Sequence, residues 1–180
     1  MVGKVLNGYE IIEFKGKGSF GTVYKCKRNN QSYAMKIFSM DYVFTEFAKS
    51  DDNRITREIA ALKTVNSPYV AGYIDDGSYE DNGWTYLYVV MDFIEGEDLS
   101  QVLKIRDLSQ EEIIEIFSQI VKGIAAIHSA RLVHRDLKPA NIYLMKNGSI
   151  KILDFGLSKI IDFTSITNTG DQLGSPLYVS

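Results

Sequence analysis

The 180 residues have an ordinary globular composition, with 45% hydrophobic and 24% charged residues, which excludes disordered and collagen-like classes. The net charge of -3 argues against a dedicated nucleic-acid-binding protein, because such proteins present a basic face. The single cysteine, Cys26, excludes a disulfide framework within the chain. The longest apolar runs, such as 87–91, are far shorter than the ~20 residues of a membrane helix. With no signal-peptide-like stretch at the N-terminus, we expect a cytoplasmic protein without a membrane segment.

The first third of the chain is predicted to form an antiparallel meander. Segments 9–14, 22–27 and 33–38 have strand character, and Asn29 and Asn30 mark a turn between the last two. Two further strands are expected around 70–74 and 84–91, joined by a polar turn at 80–83. Between these groups, residues 51–53 offer N-caps for a helix with Ile55, Ile59 and Leu62 on one face.

The second half is predicted to be mostly helical after a hinge at 94–97. Ser109 and Glu112 have the spacing of a capping box. Apolar residues follow at helical spacing, and the helix is expected to stop by 129–131. The residues of this stripe are Ile113, Phe117, Ile120, Ile124 and Ile127.

Residues 16–23 fit the glycine pattern G-x-G-x-x-G-x-V. Glycines let the backbone approach phosphate oxygens, so that main-chain N–H groups can bind them. The pattern alone also occurs in dinucleotide folds and in plain glycine-rich hairpins. The alternating strand that follows, rather than a helix, favours a hairpin that covers a nucleotide.

Lys36 stands among apolar residues on a predicted strand, and Glu58 lies beside Ile59 on the predicted helix. A lysine in such a place often only extends its amine to solvent. A lysine that acts inside a cleft needs a carboxylate partner to remain charged there. Both interpretations are open for this pair taken alone.

The segment 134–141 reads His-Arg-Asp-Leu-Lys-Pro-Ala-Asn, and 154–156 reads Asp-Phe-Gly. With the glycine loop, Lys36 and Glu58 upstream, this series resembles the protein kinase family, whose motifs are H-R-D-x-x-x-x-N and D-F-G. The resemblance implies an α+β, two-lobe fold. An N-lobe at 1–93 would hold an antiparallel sheet and one helix, and 94–180 would form a mostly helical, incomplete C-lobe.

The resemblance also implies a reaction, the transfer of the γ-phosphate of ATP to a protein hydroxyl with Mg²⁺. Asp136 would accept the proton of that hydroxyl, Lys138 would neutralise the moving phosphoryl group, and Lys36 would hold the α- and β-phosphates. Asn141 and Asp154 would bind Mg²⁺ through hard oxygen ligands.

The nucleotide would be bound by residues from both lobes, and Asp98 would reach the ribose. The implied set is Lys15, Gly16, Lys17, Gly18, Ser19, Phe20, Gly21, Thr22, Val23, Ala34, Lys36, Glu58, Asp92, Ile94, Asp98 and Tyr143. The resemblance further places Met91 at the back of the pocket. An internal apolar spine of Leu62, Tyr73, His134 and Phe155 is implied as well, although ordinary core packing would explain these residues equally.

Lys138, two residues after Asp136, resembles the Ser/Thr branch of the family, so the expected partner is a protein substrate with Ser or Thr. Arg135 resembles kinases that are activated by phosphorylation, because arginine can pair with a phosphate bidentately. Thr167 or Thr169 is the expected site, and a solvated polar loop is the alternative. Ser175 is expected near Asp136.

The chain stops short of the Pro-Glu with which the family's activation segment ends. From this we expect the isoleucine-rich face of the helix at 109–128 to lack part of its packing surface, at a cost of several kcal/mol. A partner or a C-terminal segment would have to cover it. The alternatives left open are an impaired nucleotide-binding regulatory module and a related kinase that acts on small molecules.

Overall fold

The computed structural model describes residues 1–18, 21–38, 59–60 and 62–153. They belong to two compact units, one formed from Met1–Arg54 with Tyr73–Phe93 and the other from Ile55–Gly72 with Ile94–Ser180. The predicted division into lobes at 93 and 94 stays a prediction. In the structure the segment before Tyr73 bonds to the second unit, because Ile152 donates to the Tyr69 carbonyl and Ala71 donates to the Ile152 carbonyl.

The first unit is built on an antiparallel sheet. Its described strands are β1 (Val5–Leu6), β2 (Tyr9–Gly18), β3 (Gly21–Arg28), β4 (Gln31–Phe38), β5 (Tyr73–Asp81) and β6 (Trp84–Asp92). They lie in the order β1-β2-β3-β4-β6-β5, so β4 is flanked by β3 and β6. The two central hairpins turn at Asn29–Asn30 and Asn82–Gly83, all four with positive φ, as two-residue turns between twisted strands require.

One face of this sheet carries the hydrophobic core of the unit. Its fully buried members include Tyr9, Ile11, Cys26, Met35 and Val90. Burial raises the pKa of the Cys26 thiol to about 11, which keeps it protonated and unreactive at neutral pH. Because Met35 faces this core, the residues that alternate with it along β4 face the other side of the sheet.

The predicted strand at 70–74 is wrong in its bounds. The strand begins at Tyr73 and continues to Asp81, whereas Val70 forms an isolated parallel bridge with Ile152 in the second unit. The register of β5 against β6 shifts between Tyr73 and Asp75. This irregularity, among acidic residues, obscures the period-two pattern by which a strand is predicted.

The second unit contains two described helices and a small sheet. The helices are α1 (Leu99–Ile105) and α2 (Gln110–Ser129), and a short 3-10 helix spans Pro139–Asn141. The sheet is made of β7 (Gly96–Asp98), β8 (Ile142–Met145) and β9 (Ile150–Ile152), in that order and antiparallel. Part of the predicted hinge at 94–97 is thus a strand, and no described helix has both the length and the apolar character for crossing a bilayer.

Helix α2 begins and ends as predicted. The Ser109 hydroxyl accepts from the Glu112 amide, and the Glu112 carboxylate accepts from the Ser109 amide. At the other end, the Ala130 amide donates back to Ala126. The capping box predicted from the sequence is therefore confirmed.

The face of α2 that packs within its unit matches the predicted stripe only toward the end of the helix, where Ile127 is buried and Ile120 and Ile124 are partly buried. Its buried residues are Ile116, Gln119, Gly123 and Ile127, whereas Ile113 and Phe117 are 51% and 65% exposed. The helix carries apolar residues on two sides, so periodicity alone could not select the packed one.

Gln119 fixes α2 to β9. Its side-chain oxygen accepts from the Ile150 amide at 2.9 Å, and its amide nitrogen donates to the Gly148 carbonyl at 3.3 Å and to Glu115 at 2.9 Å. One turn later Gly123 leaves space for Tyr69 and for the Ile152 side chain, which a Cβ would meet at 2.6 Å. Helix α2 and β9 are therefore joined by side-chain hydrogen bonds and by close packing at Gly123.

A pH dependence follows from the start of α2. Two hydrogen bonds from Arg106, at 2.8 and 3.0 Å, and one from the Ser109 amide lower the pKa of Glu112 to about 2. A carboxylate whose folded-state pKa is depressed stabilises the protein above its unfolded pKa, about 4.5, and this contribution is lost as the pH falls toward 2. We expect Glu112→Gln to lower the Tm at neutral pH, and we expect this difference to shrink as the pH falls below about 4.5 and to be lost as the pH falls through 2.

Thermal unfolding of both proteins across this pH range measures the difference. Glu10→Gln, at an exposed glutamate of the first unit, is the matched control. A Tm difference for Glu112→Gln that is the same at every pH would contradict the assignment.

Candidate active site

The segment from Arg131 to Asn141 joins α2 to β8. Arg131 and Arg135 have φ of 58° and 61°, left-handed conformations that cost free energy for residues other than glycine. Between them Leu132 and His134 are each only 3% exposed. The buried side chains of Leu132 and His134 therefore anchor the loop, and the backbone changes direction sharply at Arg131 and Arg135.

His134 ties this loop to the end of β9. Its Nε2 lies 2.9 Å from the Leu153 carbonyl oxygen, and its Nδ1 accepts from the Asp136 amide at 3.4 Å. A neutral imidazole with its hydrogen on Nε2 satisfies both bonds at once. The ring thus positions Asp136 through its backbone.

Two of the predicted catalytic and metal-binding side chains converge on the carboxylate of a third, Asp136. The Lys138 amine lies 2.7 Å from Oδ2 of Asp136, and Nδ2 of Asn141 donates to the same oxygen at 3.1 Å. Asp136 and Lys138 are 27% and 29% exposed. A partly exposed carboxylate held by a cation and an amide is suited to accept a proton from a substrate in solution.

Asn141 is oriented by its backbone and by its side chain. Its amide donates to the Lys138 carbonyl at 2.9 Å, and Nδ2 also donates to the Asp136 carbonyl at 2.8 Å. With Nδ2 committed to these acceptors, Oδ1 faces away from them, and no described group donates to it. A carbonyl oxygen presented in this way fits Mg²⁺, which prefers hard oxygen ligands.

Leu153 is bonded to the same loop through both of its backbone groups. Its N–H donates to the Asn141 carbonyl at 2.8 Å, and its carbonyl accepts from His134. Asp154, the other predicted Mg²⁺ ligand, follows directly and lies outside the described residues.

Two predicted nucleotide contacts lie side by side on the small sheet. Asp98 on β7 is directly opposite Tyr143 on β8, and opposite residues of an antiparallel pair share a face. Asp98 also caps α1, because its Oδ1 accepts from the Gln101 amide at 3.1 Å and from the Ser100 hydroxyl. Ile94, also predicted to contact the nucleotide, precedes β7 and is partly buried.

In the first unit, the glycine pattern lies on the β2–β3 hairpin, as predicted. Gly16 is opposite Val23, and Gly18 is opposite Gly21. A Cβ at Gly16 or Gly18 would meet no described atom within 4 Å. Gly21 differs, because its φ is 152° and a Cβ would collide with the Ile37 carbonyl.

The register of the sheet brings further predicted residues together. Lys36 on β4 is directly opposite Val23 on β3, and Ala34 is two residues before it, so all three share the face that lies away from the core. Lys36 is only 6% exposed. Asp92 is opposite Tyr33 at the end of β6, and its side chain belongs to the other face.

The remaining predicted residues of the hairpin are partly or fully exposed. Lys15 forms an ion pair with Glu13 at 3.2 Å, Lys17 is exposed and Thr22 is partly buried. Other sequence predictions fall outside the described residues: Ser19, Phe20, Glu58, Asp154, Phe155, Thr167, Thr169 and Ser175. The supporting role of Gln119 was not predicted, although a glutamine between isoleucines one turn before a glycine is a usable signal.

Comparison with known proteins adds to this geometry. The family model described as a protein kinase domain matches residues 9–180. The chain is 32% identical, over its whole length, to a probable serine/threonine-protein kinase of Clostridium perfringens, and covers 26% of that protein. It is 33% identical to the serine/threonine-protein kinase PrkC of Bacillus subtilis, over 100% of the chain and 27% of PrkC.

A eukaryotic relative is similar to the same degree. The serine/threonine-protein kinase pakH of Dictyostelium discoideum is 33% identical over 96% of the chain, which covers 32% of pakH. The chain thus spans about a quarter to a third of the length of these relatives.

Proposed function

Since this chain belongs to the protein kinase domain family, we propose that it transfers the γ-phosphoryl group of Mg-ATP to a Ser or Thr hydroxyl of a protein. The observation that carries the proposal is the convergence of Lys138 and Asn141 on the carboxylate of Asp136. Phosphoryl transfer requires mainly alignment and neutralisation of charge, and this cluster provides a base, a cation and an oxygen ligand within a few residues.

Each side chain has a role that follows from its position. Asp136 orients the substrate hydroxyl and takes its proton, because its carboxylate is partly exposed and held from two sides. Lys138, now paired with Asp136, would neutralise charge on the phosphoryl group as it moves. Asn141 Oδ1 and Asp154 would hold Mg²⁺, which when bound offsets the charge of the phosphates.

Each unit, described by itself, carries proposed contacts of the nucleotide. In the first unit, Val23, Ala34 and Lys36 share one face of the sheet, with Lys36 for the phosphates and the other two for adenine. In the second, Tyr143 and Asp98 are adjacent, for adenine and ribose. The other proposed nucleotide contacts are the hairpin residues 15–23 and backbone groups of Asp92 and of Ile94. Glu58, outside the described residues, is proposed as the partner of Lys36.

Serine or threonine is the proposed acceptor because Lys138 has the position typical of that branch, and because the relatives are named serine/threonine-protein kinases. Thr167 or Thr169 remains the proposed site of activating phosphorylation. Phosphopeptide mapping after incubation with Mg-ATP identifies the modified residue.

The test of the function is phosphoryl transfer from γ-labelled ATP to a mixture of unfolded proteins, with and without EDTA. We expect label on Ser or Thr that disappears when EDTA is added. A Mg²⁺-dependent titration with a fluorescent ATP analogue is run in parallel. Nucleotide binding without transfer would replace the proposal with a binding module, and the absence of both from the folded chain would overturn it.

A further inference from the structure

Phe93 is the residue at which the chain leaves the sheet of the first unit. Strand β6 ends at Asp92, which is paired with Tyr33 of β4, and residues 93–95 belong to no described strand or helix. The backbone after β6 is therefore not fixed by the hydrogen-bond ladder of the sheet. Asp92 and Ile94, whose backbone groups are proposed to bind adenine, are the neighbours of Phe93 in the chain.

The ring of Phe93 is held by a lysine of β3. The Lys25 ammonium lies over the ring, 4.3 Å from its centroid, within the ~6 Å range of a cation–π interaction. Both residues are partly buried, and partial removal from water strengthens the attraction between a cation and a ring. Lys25 is fixed in turn by strand pairing on both sides, with Glu13 of β2 and Ala34 of β4. The side chain of Phe93 is thus attached to the sheet where its backbone is not.

A second lysine approaches the same ring from a greater distance. The Lys15 ammonium is 5.8 Å from the centroid, and it already pairs with the Glu13 carboxylate at 3.2 Å. Lys15 is also exposed, so its charge is screened by water. No carboxylate in the described part of the chain forms an ion pair with Lys25. Lys25 is therefore the cation that we expect to hold the Phe93 ring.

Lys25 lies on the face of the sheet that carries proposed nucleotide contacts. It is directly opposite Ala34 and two residues after Val23, so these three side chains share that face. Lys36, proposed for the phosphates, is opposite Val23 instead. The register therefore places Lys25 in line with a proposed adenine contact and one pair away from the proposed phosphate contact.

We propose that Lys25 is a positioning residue for the nucleotide: by holding the Phe93 ring, it fixes the adjoining backbone in the arrangement that binds adenine. That backbone belongs to Asp92 and Ile94. This inference rests on the proposed function, because the base is that of ATP. Lys25 acts without touching the nucleotide, since a segment that is already ordered costs less free energy to order on binding. Every ligand that carries adenine benefits, whatever its phosphate chain.

Competition of adenosine and of Mg-ATP with a fluorescent ATP analogue tests this role. Lys25→Met keeps the length of the aliphatic side chain and removes its charge. We expect it to weaken both ligands by roughly fivefold, about 1 kcal/mol. In the transfer assay the KM for ATP should rise by the same factor while kcat stays unchanged. Lys25→Arg keeps a cation over the ring and should restore most of the affinity.

Two further variants separate this contact from a general effect of charge. Lys27→Met is the matched control, because Lys27 is an exposed lysine on the same face of β3 and lies over no described ring. It should bind both ligands like the parent chain. Phe93→Leu should weaken them as Lys25→Met does, and the double variant should be no weaker than either single variant, because both remove one interaction.

Hydrogen exchange of the free chain examines the contact without any nucleotide. The amides of residues 93–96 should exchange faster in Lys25→Met than in the parent chain, in Lys27→Met or in Lys25→Arg. Faster opening is expected because this segment has lost the side-chain contact that ties it to the sheet.

Three results would overturn the proposal: parental affinity for adenosine in Lys25→Met, unchanged exchange at 93–96, or weakened binding of Mg-ATP alone. The last result would make Lys25 a phosphate contact. Failure of the parent chain to bind either ligand is a separate outcome, which would overturn the proposed function and the role of Lys25 in recognition with it.

Discussion

Replacing Asp136 with Asn is expected to lower the rate of phosphoryl transfer by about 10²–10⁴-fold, the usual contribution of a general base. The amide keeps the size of the carboxylate but cannot take the proton of the substrate hydroxyl. It also removes the charge that the Lys138 amine contacts at 2.7 Å. Because Asp136 and Lys138 are both more than a quarter exposed, we expect a small effect on stability.

Single-turnover transfer rates and nucleotide titrations distinguish a chemical defect from a binding defect. The affinity for Mg-ATP should stay near that of the parent chain while the rate falls. Asp107→Asn, at an exposed aspartate before α2, is the control for the substitution itself. A parental rate in Asp136→Asn, with the fold intact, would remove Asp136 from the proposed role.

Gly21→Ala is expected to destabilise the first unit by roughly 2–4 kcal/mol, from a strained backbone and a forced contact together. Its φ of 152° is one that residues with a side chain rarely adopt, and the added Cβ would strike the backbone carbonyl of Ile37 on the neighbouring strand. Backbone in the middle of a hydrogen-bonded sheet cannot move aside as a flexible side chain can.

Gly18→Ala is the matched control, because a Cβ there meets no described atom within 4 Å. It should leave the urea midpoint nearly unchanged and weaken binding of Mg-ATP if the hairpin approaches the phosphates. Equal midpoints for Gly21→Ala and Gly18→Ala would contradict the structural role assigned to Gly21. Of the pattern's glycines, Gly21 is thus required by the sheet, whereas a Cβ at Gly16 or Gly18 would meet no described atom within 4 Å.

Features set by local chemistry were predictable from the sequence. The turn at Asn29–Asn30 requires positive φ at both residues, and asparagine tolerates it. The capping box of Ser109 and Glu112 was visible from its spacing. Lys138 and Asn141 are only two and five residues after Asp136 in the sequence, which keeps them near it.

Features set by tertiary contacts were not predictable in this way. The packed face of α2 depends on Gln119 reaching Ile150, a contact between residues far apart in sequence. Helix α1 was missed because it spans only two turns, although Asp98 before Leu99 is an N-cap signal. The irregular register of β5 and the bridge from Val70 to Ile152 reflect pairing partners that a strand pattern does not reveal.

The two backbone hydrogen bonds of Leu153 couple the end of β9 to the loop that carries Asp136. Its peptide groups are tied to Asn141 on one side and to His134 on the other, and the His134 ring also contacts the Asp136 amide. A rotation of the chain at Leu153 would break both ties and disturb the support of the carboxylate. A displacement of the chain at the end of β9 is therefore expected to displace Asp136 as well. An interaction that holds Leu153 in place is expected to hold Asp136 in place too.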